Sequence, residues 1–139
     1  MIILSIDYGR ARTGIAVCDK GEMIASPVTV ITEYNTERLV EKIAAVAGER
    51  RAEQIVMGLP RNMDGSEGES ARNVREISTL IENATGLKVV LRDERCTTVT
   101  AHGYLNVTNT RGKKRKEIVD SVAAVIILQD YLEFRRNTK

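Results

Sequence analysis

The first third of the chain alternates short apolar runs with turn residues. Residues 2–6 and 14–18 are rich in β-branched side chains and predict two strands, and the loop between them is too short for a helical crossover. These strands should therefore pair antiparallel. Residues 23–31 predict a third strand, and Pro27 within it indicates a sheet edge or a bulge.

Beyond residue 34 the apolar spacing becomes helical and strand-like in turn. The pattern predicts helices over 35–51, 70–84 and 114–136, a short helix over 98–105, and strands over 54–60 and 87–91. Asn35 or Thr36 is the expected N-cap of the first helix, and Gly86 the expected end of the second. The second helix should turn Val74, Ile77, Leu80 and Ile81 inward.

The resulting order is βββαβαβ, then the short helix, then a long helix. It predicts one α/β domain over residues 1–139, with a mixed five-stranded sheet and helices on both faces.

Composition excludes several protein classes. The chain has 139 residues, of which 42% are hydrophobic and 29% charged, as in ordinary globular proteins. Its longest apolar run, residues 122–128, is far shorter than the roughly 20 residues that span a bilayer. The N-terminus lacks the basic and apolar pattern of a signal peptide. We therefore expect a soluble, cytoplasmic protein with no membrane partner.

Cysteine and histidine are scarce. Cys18 and Cys96 have no CxxC spacing and are expected to be buried or half-buried thiols, while His102 is the only histidine. A histidine-rich zinc site is excluded, and a catalytic triad would have to be built on His102 alone.

The net charge of +2 is small, but the cations are unevenly distributed. Residues 111–116 carry five cations among six positions. Such a run is either a solvated surface or a phosphate-binding patch.

Carboxylates occur where three predicted elements could meet. Asp7 ends the first strand, where it caps a turn or belongs to a ligand site beyond the strand. Asp93 and Glu94 end the fifth strand on opposite faces, and alternation alone does not choose between them. Asp120 precedes a helical stripe of Ala123, Ala124, Ile127 and Tyr131. A carboxylate beside such a stripe is costly unless it is paired or bound to a metal.

A cluster of these carboxylates would need a cation, because mutual repulsion raises their pKa values. Oxygen donors without a histidine or cysteine set favour Mg²⁺ or Mn²⁺. Two such ions about 4 Å apart support phosphodiester hydrolysis, with the basic run holding phosphates.

The glycine-rich loop at 61–68 is not a P-loop, because no Lys-Ser/Thr pair follows its glycines. Two interpretations stay open. The loop and the next helix N-terminus could bind a phosphate, or the loop is a turn in which Ser66 or Ser70 caps the helix.

Four blocks together resemble one known family. They are IDYGRARTGIA at 6–16, GLPRNMDGS at 58–66, DERCTT at 93–98, and KKRK at 113–116 followed by Asp120 and two alanines. This order resembles the YqgF (RuvX) family across nearly the whole chain. Cys96 and Thr97 depart from its usual residues, but neither change affects a carboxylate.

The resemblance implies a ribonuclease H-like fold and a nuclease that matures the 5′ end of pre-16S rRNA in bacteria. It also implies three catalytic, metal-binding acids and a set of cations near the substrate phosphates. The acids are Asp7, Glu94 and Asp120, and the cations are Arg12, Arg95, Lys113, Lys114 and Arg115. No residue is assigned to an organic cofactor.

The expected partner is structured nucleic acid, with pre-16S rRNA and ribosomal subunit precursors first. One Phe, four Tyr and no Trp argue against a stacking platform for single strands.

Three alternatives remain. The protein is a Holliday junction resolvase-like DNA endonuclease, or an assembly factor that binds pre-rRNA without cutting it, or a nucleotide-binding protein. The last interpretation rests on Asp7, Gly9 and Gly14, which also resemble the first phosphate loop of the actin and sugar-kinase fold. The choice between a monomer and a homodimer is left open.

Overall fold

The computed structural model describes residues 1–61, 64–93 and 112–138, with the side chains of 112–121 excepted. The strands are β1 (Ile3–Asp7), β2 (Arg12–Cys18), β3 (Ala25–Thr32), β4 (Gln54–Leu59) and β5 (Val89–Asp93). The helices are α1 (Thr36–Glu49), α2 (Glu69–Thr85) and α3 (Gly112–Asn137). The short helix expected over 98–105 lies outside the described residues.

The five strands form one mixed sheet in the order β3-β2-β1-β4-β5. β1 to β3 pair antiparallel as a meander, whereas β1, β4 and β5 run parallel. Both pairings confirm the prediction. Pro27 lies in the outer strand β3, where the register with β2 shifts between Ile15 and Ala16. The proline therefore marks an edge and a bulge together.

Helices α1 and α2 cover one face of the sheet and form the larger core. Their buried apolar residues are Leu39, Val40, Ile43, Ala47, Ala71, Val74, Ile77 and Ile81. The Asn35 side chain accepts a hydrogen bond from the Arg38 amide, and Gly86 ends α2 with a φ of 72°. The prediction for Leu80 is wrong, because 43% of this residue is exposed. It lies at the margin of the apolar stripe, where helical spacing does not separate the core from the rim.

Helix α3 covers the opposite face and approaches the sheet closely. The hydroxyl of the buried Ser5 donates a 2.6 Å hydrogen bond to the backbone carbonyl of Ala124. The sheet surface beneath the helix also includes one residue from each of three adjacent strands: Ile3, Ala16 and Val56. Because Ser5, Ala16 and the helix residues Ala123 and Ala124 are small, the helix backbone comes within hydrogen-bond distance of a strand side chain.

The C-terminal part of α3 is fastened to the edge of the sheet where β1 begins. The Tyr131 hydroxyl donates to the Gln54 side chain at 2.8 Å, and Arg135 donates to Glu22 at 2.6 Å. These contacts fix the direction of the helix, which runs antiparallel to β1. Among the helices in the described ranges, none is both long and apolar enough to cross a membrane.

The Glu22–Arg135 ion pair should make stability depend on pH. The Arg135 hydrogen bond is the main cause that lowers the pKa of Glu22 from 4.5 to about 2. A depressed pKa stabilises the fold above the unfolded value of 4.5, and this contribution is lost as the pH falls towards 2. We expect Glu22→Gln to lower the free energy of unfolding by about 2 kcal/mol at pH 7.

Urea denaturation at pH 7, 4 and 3 measures this effect. The difference between wild type and Glu22→Gln should narrow as the pH decreases. Glu41→Gln, at an exposed position of α1, is the control and should match wild type throughout. A difference for Glu22→Gln that is constant with pH would contradict the ionic origin.

Ser5 provides a second test of how α3 is seated. Ser5→Ala removes one buried hydrogen bond and should cost about 1 kcal/mol. Ser5→Leu should cost at least about 2–3 kcal/mol, because the larger side chain forces the helix away from the sheet. Urea denaturation with Ser26→Leu, at an exposed serine of β3, is the matched measurement. If Ser5→Leu and Ser26→Leu lower the free energy of unfolding equally, the packing explanation is excluded.

Candidate active site

Asp7 is the last residue of β1 and lies on the α3 face of the sheet. Side chains alternate along a strand, and Ile3 and Ser5 both contact α3. Asp7 follows in the same series. The carboxylate is therefore at the carboxyl edge of the sheet, beneath the helix that carries residue 120.

Glycines flank Asp7 on both neighbouring strands. Its partner across β2 is Gly14, and on β4 the pairing of Ile6 with Met57 brings Gly58 next to Asp7. Neither neighbour has a side chain to cover the carboxylate laterally. A ligand at this edge would therefore meet no side chain from these two positions.

The backbone of residue 120 lies in the turn of α3 that precedes Ala124. This turn rises about 6 Å beyond the Ser5–Ala124 contact. Asp7 lies about 6.6 Å beyond Ser5 along the strand. Since α3 runs antiparallel to β1, the two displacements have the same direction, and helix geometry brings this turn level with Asp7.

The register of β5 separates Asp93 from Glu94. Arg92 donates a 2.8 Å hydrogen bond to Asp130 of α3, and Val90 packs in the α3 core. Even-numbered residues of β5 therefore face α3, whereas Asp93 pairs with Leu59 on the α1–α2 side. Asp93 is thus on the opposite face from Asp7. Glu94 lies outside the described residues.

Arg12 begins β2 on the same face as Asp7. It precedes Gly14 by two residues in the strand and is half-buried at the rim of the sheet. The guanidinium group therefore belongs to the edge at which Asp7 lies. The backbone of Lys113, Lys114 and Arg115 lies in the first turns of α3, whereas Arg95 is outside the described residues.

The acids predicted for the site are only partly described. In residues 1–61, 64–93 and 122–138, no three acidic, histidine or cysteine side chains form a group suited to a metal ion. Glu94 and the Asp120 side chain fall outside these ranges. Of the three predicted acids, Asp7 is the one whose side chain the structure describes.

Cys18 fits the expected buried thiol. It is 4% exposed, and burial raises its pKa. It pairs with Ala25 at the opposite end of β2 from the edge that holds Asp7. A protonated thiol at this position is not a nucleophile for the site. Cys96 and His102 lie outside the described residues.

The loop before α2 is tied down by side chains, but not by the expected cap. Gly68 is the N-cap residue and no side chain caps it, so the prediction of Ser66 or Ser70 as the cap is wrong. Ser66 instead donates its amide and hydroxyl to Asp64, at 2.9 and 2.6 Å. Glu67 accepts two 2.7 Å hydrogen bonds from Arg75, which lower the pKa of that carboxyl.

A cavity of about 420 Å³ lies between this loop and the end of β1. Its walls include Tyr8, Arg10, Pro60, Ser70, Asn73 and Val74. The turn after β1 is tight at Gly9, where any side chain would overlap the carbonyl oxygen of Arg12. Gly9 thus permits the tight turn from β1 to β2, and this turn forms one wall of the cavity.

Sequence reasoning missed the small residues that make room at the site. Ser5 is the single polar residue in the strand predicted over residues 2–6, and that signal could have identified a contact with another element. Gly14 and Gly58 each lie inside predicted strands, where glycine often marks a close approach of backbone or ligand.

Comparisons with known proteins agree on one family. The family model described as "RuvX: Holliday junction resolvase" matches residues 1–134. A protein of Clostridium botulinum (strain Eklund 17B / Type B), named "Putative pre-16S rRNA nuclease", is 41% identical over 133 residues, which is 96% of this chain and 97% of that protein. A protein of the same name from Agathobacter rectalis is 35% identical over 142 residues, which is 100% of this chain and 99% of that protein.

Solved structures share the fold at low sequence identity. RuvC of Thermus thermophilus, in complex with a Holliday junction substrate, superposes with a TM-score of 0.65 at 14% identity, over 99% of this chain and 97% of that one. The resolvase of fowlpox virus, in complex with Holliday junction DNA, superposes with a TM-score of 0.62 at 13% sequence identity. The match covers 97% of this chain and 99% of that one. The ribonuclease H-like fold expected from the sequence is therefore confirmed. From the family match and the identity to its relatives, this chain belongs to the RuvX family.

Proposed function

We propose that this chain is a nuclease that hydrolyses phosphodiester bonds of structured RNA with the help of divalent metal ions. The observation that carries the proposal is the placement of Asp7 between Gly14 and Gly58, beneath α3. A carboxylate whose neighbours on both adjacent strands are glycines, at the carboxyl edge of parallel strands, suits a ligand site.

Asp7, Glu94 and Asp120 are proposed as the metal ligands. A carboxylate donor set without cysteine or histidine fits a hard cation such as Mg²⁺ or Mn²⁺. When two such ions are bound, they lower the pKa of the attacking water and stabilise the leaving oxygen. The protein contributes a fixed spacing, because the Ser5–Ala124 hydrogen bond and the anchors at Tyr131 and Arg135 hold α3 against β1.

The cations are proposed to hold the substrate backbone. Arg12 lies on the same face and the same edge as Asp7. Arg95, Lys113, Lys114 and Arg115 are assigned to the same role from the resemblance to the family. Phosphate contacts of this kind position a nucleic acid without reading its sequence.

Precursor 16S rRNA is the substrate that the names of the relatives favour. Branched DNA is the alternative, supported by the family description and by a shared fold. Labelled 5′ leader RNA and a four-way DNA junction, each with Mn²⁺, Mg²⁺ or EDTA, separate the two substrates. Tight RNA binding without metal-dependent cutting would indicate an assembly factor instead.

The acids can be tested one by one. Asp7→Asn, Glu94→Gln and Asp120→Asn should each lower metal-dependent cleavage more than about a hundredfold, since even residues that only orient metal ligands are worth about 10- to 100-fold. Asp93→Asn is the matched control, because its side chain lies on the opposite face of β5. Cleavage of the leader RNA under single-turnover conditions is the measurement.

Two results would contradict this assignment. If Asp7→Asn cuts as fast as wild type, the site is not where we place it. If Asp93→Asn loses activity while Glu94→Gln keeps it, the alternation of β5 does not continue past Asp93. Circular dichroism of each variant excludes loss of folding as the cause.

The role of Arg12 predicts a change in salt dependence. Arg12→Gln should weaken RNA binding for every sequence and reduce the slope of log affinity against log salt by about 1, as expected for one lost phosphate contact. Arg50→Gln is the control, since Arg50 caps the end of α1 just before the chain enters β4, at the other edge of the sheet. Filter binding between about 50 and 200 mM salt measures both. An unchanged slope for Arg12→Gln would remove Arg12 from the phosphate contacts.

A further inference from the structure

The cavity of about 420 Å³ beside Tyr8 lies next to Asp7 but on the other side of the sheet edge. Asp7 and Tyr8 are consecutive, so their Cα atoms are about 3.8 Å apart. Asp7 faces α3, whereas Tyr8 packs against the core beneath α1 and α2. A bound strand that crosses this edge therefore meets the carboxylate and the cavity in direct succession.

The topology of the sheet creates this opening. β1 and β4 are parallel neighbours, but the chain leaves β1 towards β2 and leaves β4 towards β5, in opposite directions. Such a switch point opens a crevice at the carboxyl ends of the strands, where ligands of open α/β sheets bind. The cavity volume of about 420 Å³ lies within the range of about 300–1,000 Å³ that is usual for small-ligand sites.

The walls of the cavity are polar and nearly neutral in charge. Ser70 and Asn73 lie one turn apart at the start of α2, with the buried Val74 behind them. Arg10 and Glu69 contribute one charge of each sign. A phosphate would be attracted by the arginine and by the N-terminus of α2, which no side chain caps, and repelled by the glutamate, so charge alone does not make the cavity a phosphate site.

This chemistry matches a nucleobase better than a phosphate. The Asn73 amide both donates and accepts, the Ser70 hydroxyl does the same, and the Glu69 carboxylate accepts from an amino group. The half-buried Tyr8 offers apolar surface for a ring. Unpaired bases in RNA are bound in this way, through their polar edges and their faces.

We propose that this cavity binds one unpaired nucleoside of the substrate strand, beside the phosphate that is cut. The inference rests on the proposed nuclease function. It makes the enzyme selective for structured substrates in which the nucleotide next to the cleavage site is not base-paired. Arg12 and the basic run hold the backbone, while Asn73 and Ser70 select the unpaired base.

The test uses the full chain and leader RNA that carries 2-aminopurine at each unpaired position in turn. Binding is followed by fluorescence in EDTA, so that no cleavage occurs, and cutting is then measured with Mn²⁺. The variants are Asn73→Ala, which removes an amide from the wall, and Ser70→Tyr, which fills the cavity. Asn83→Ala makes the same change as the first at an exposed position of α2, away from the cavity.

We expect one 2-aminopurine position to change its fluorescence when wild type binds. Asn73→Ala and Ser70→Tyr should abolish this change and weaken binding about five- to tenfold, the effect of one or more lost hydrogen bonds. Asn83→Ala should behave as wild type. An RNA in which that nucleotide is paired by a complementary strand should be cut at least about fivefold more slowly.

The outcomes distinguish this inference from the proposed function. If wild type cuts paired and unpaired substrates equally and no position responds, the cavity does not bind a base, although the nuclease stands. If one position responds and Asn73→Ala abolishes the response while nothing is cut, the subsite stands without the nuclease. If nothing responds and nothing is cut, both proposals are wrong.

Discussion

The close contact between α3 and β1 is the constraint on which the site depends. The hydrogen bond from Ser5 to the Ala124 carbonyl requires a small polar residue in the strand and small residues on the helix. Larger residues at either position would separate the two elements. The same contact sets the distance between the end of β1 and the turn of α3 that carries residue 120, so packing in the core determines the geometry available to the carboxylates.

The two halves of α3 have different tasks. Residues after 122 pack over the sheet and are anchored by Tyr131 and Arg135 at its far edge. The first turns extend past the opposite edge and carry the cationic run. Packing of the C-terminal part of the helix therefore holds in place the backbone of the turns that carry the basic run.

Most of the fold was predictable because apolar spacing is strong in this chain. The meander, the parallel pairs and both helical layers follow from it. Details at boundaries were not predictable. Leu80 lies at the margin of a stripe, and Ser66 donates its hydroxyl to Asp64 instead of capping α2. Alternation could not choose between Asp93 and Glu94, because the face of β5 that meets α3 is shown only by tertiary contacts, such as Arg92–Asp130 and the packing of Val90.

The bulged outer strand β3 has a consequence for association between molecules. Pro27 has no N–H group, and the register shift leaves Val28 without a partner on β2. A strand from another molecule would meet a missing donor and an interrupted hydrogen-bond repeat along this side. The side chains of Ser26 and Thr29 keep the edge polar and exposed. β3 therefore disfavours edge-to-edge pairing with another molecule on this side of the sheet.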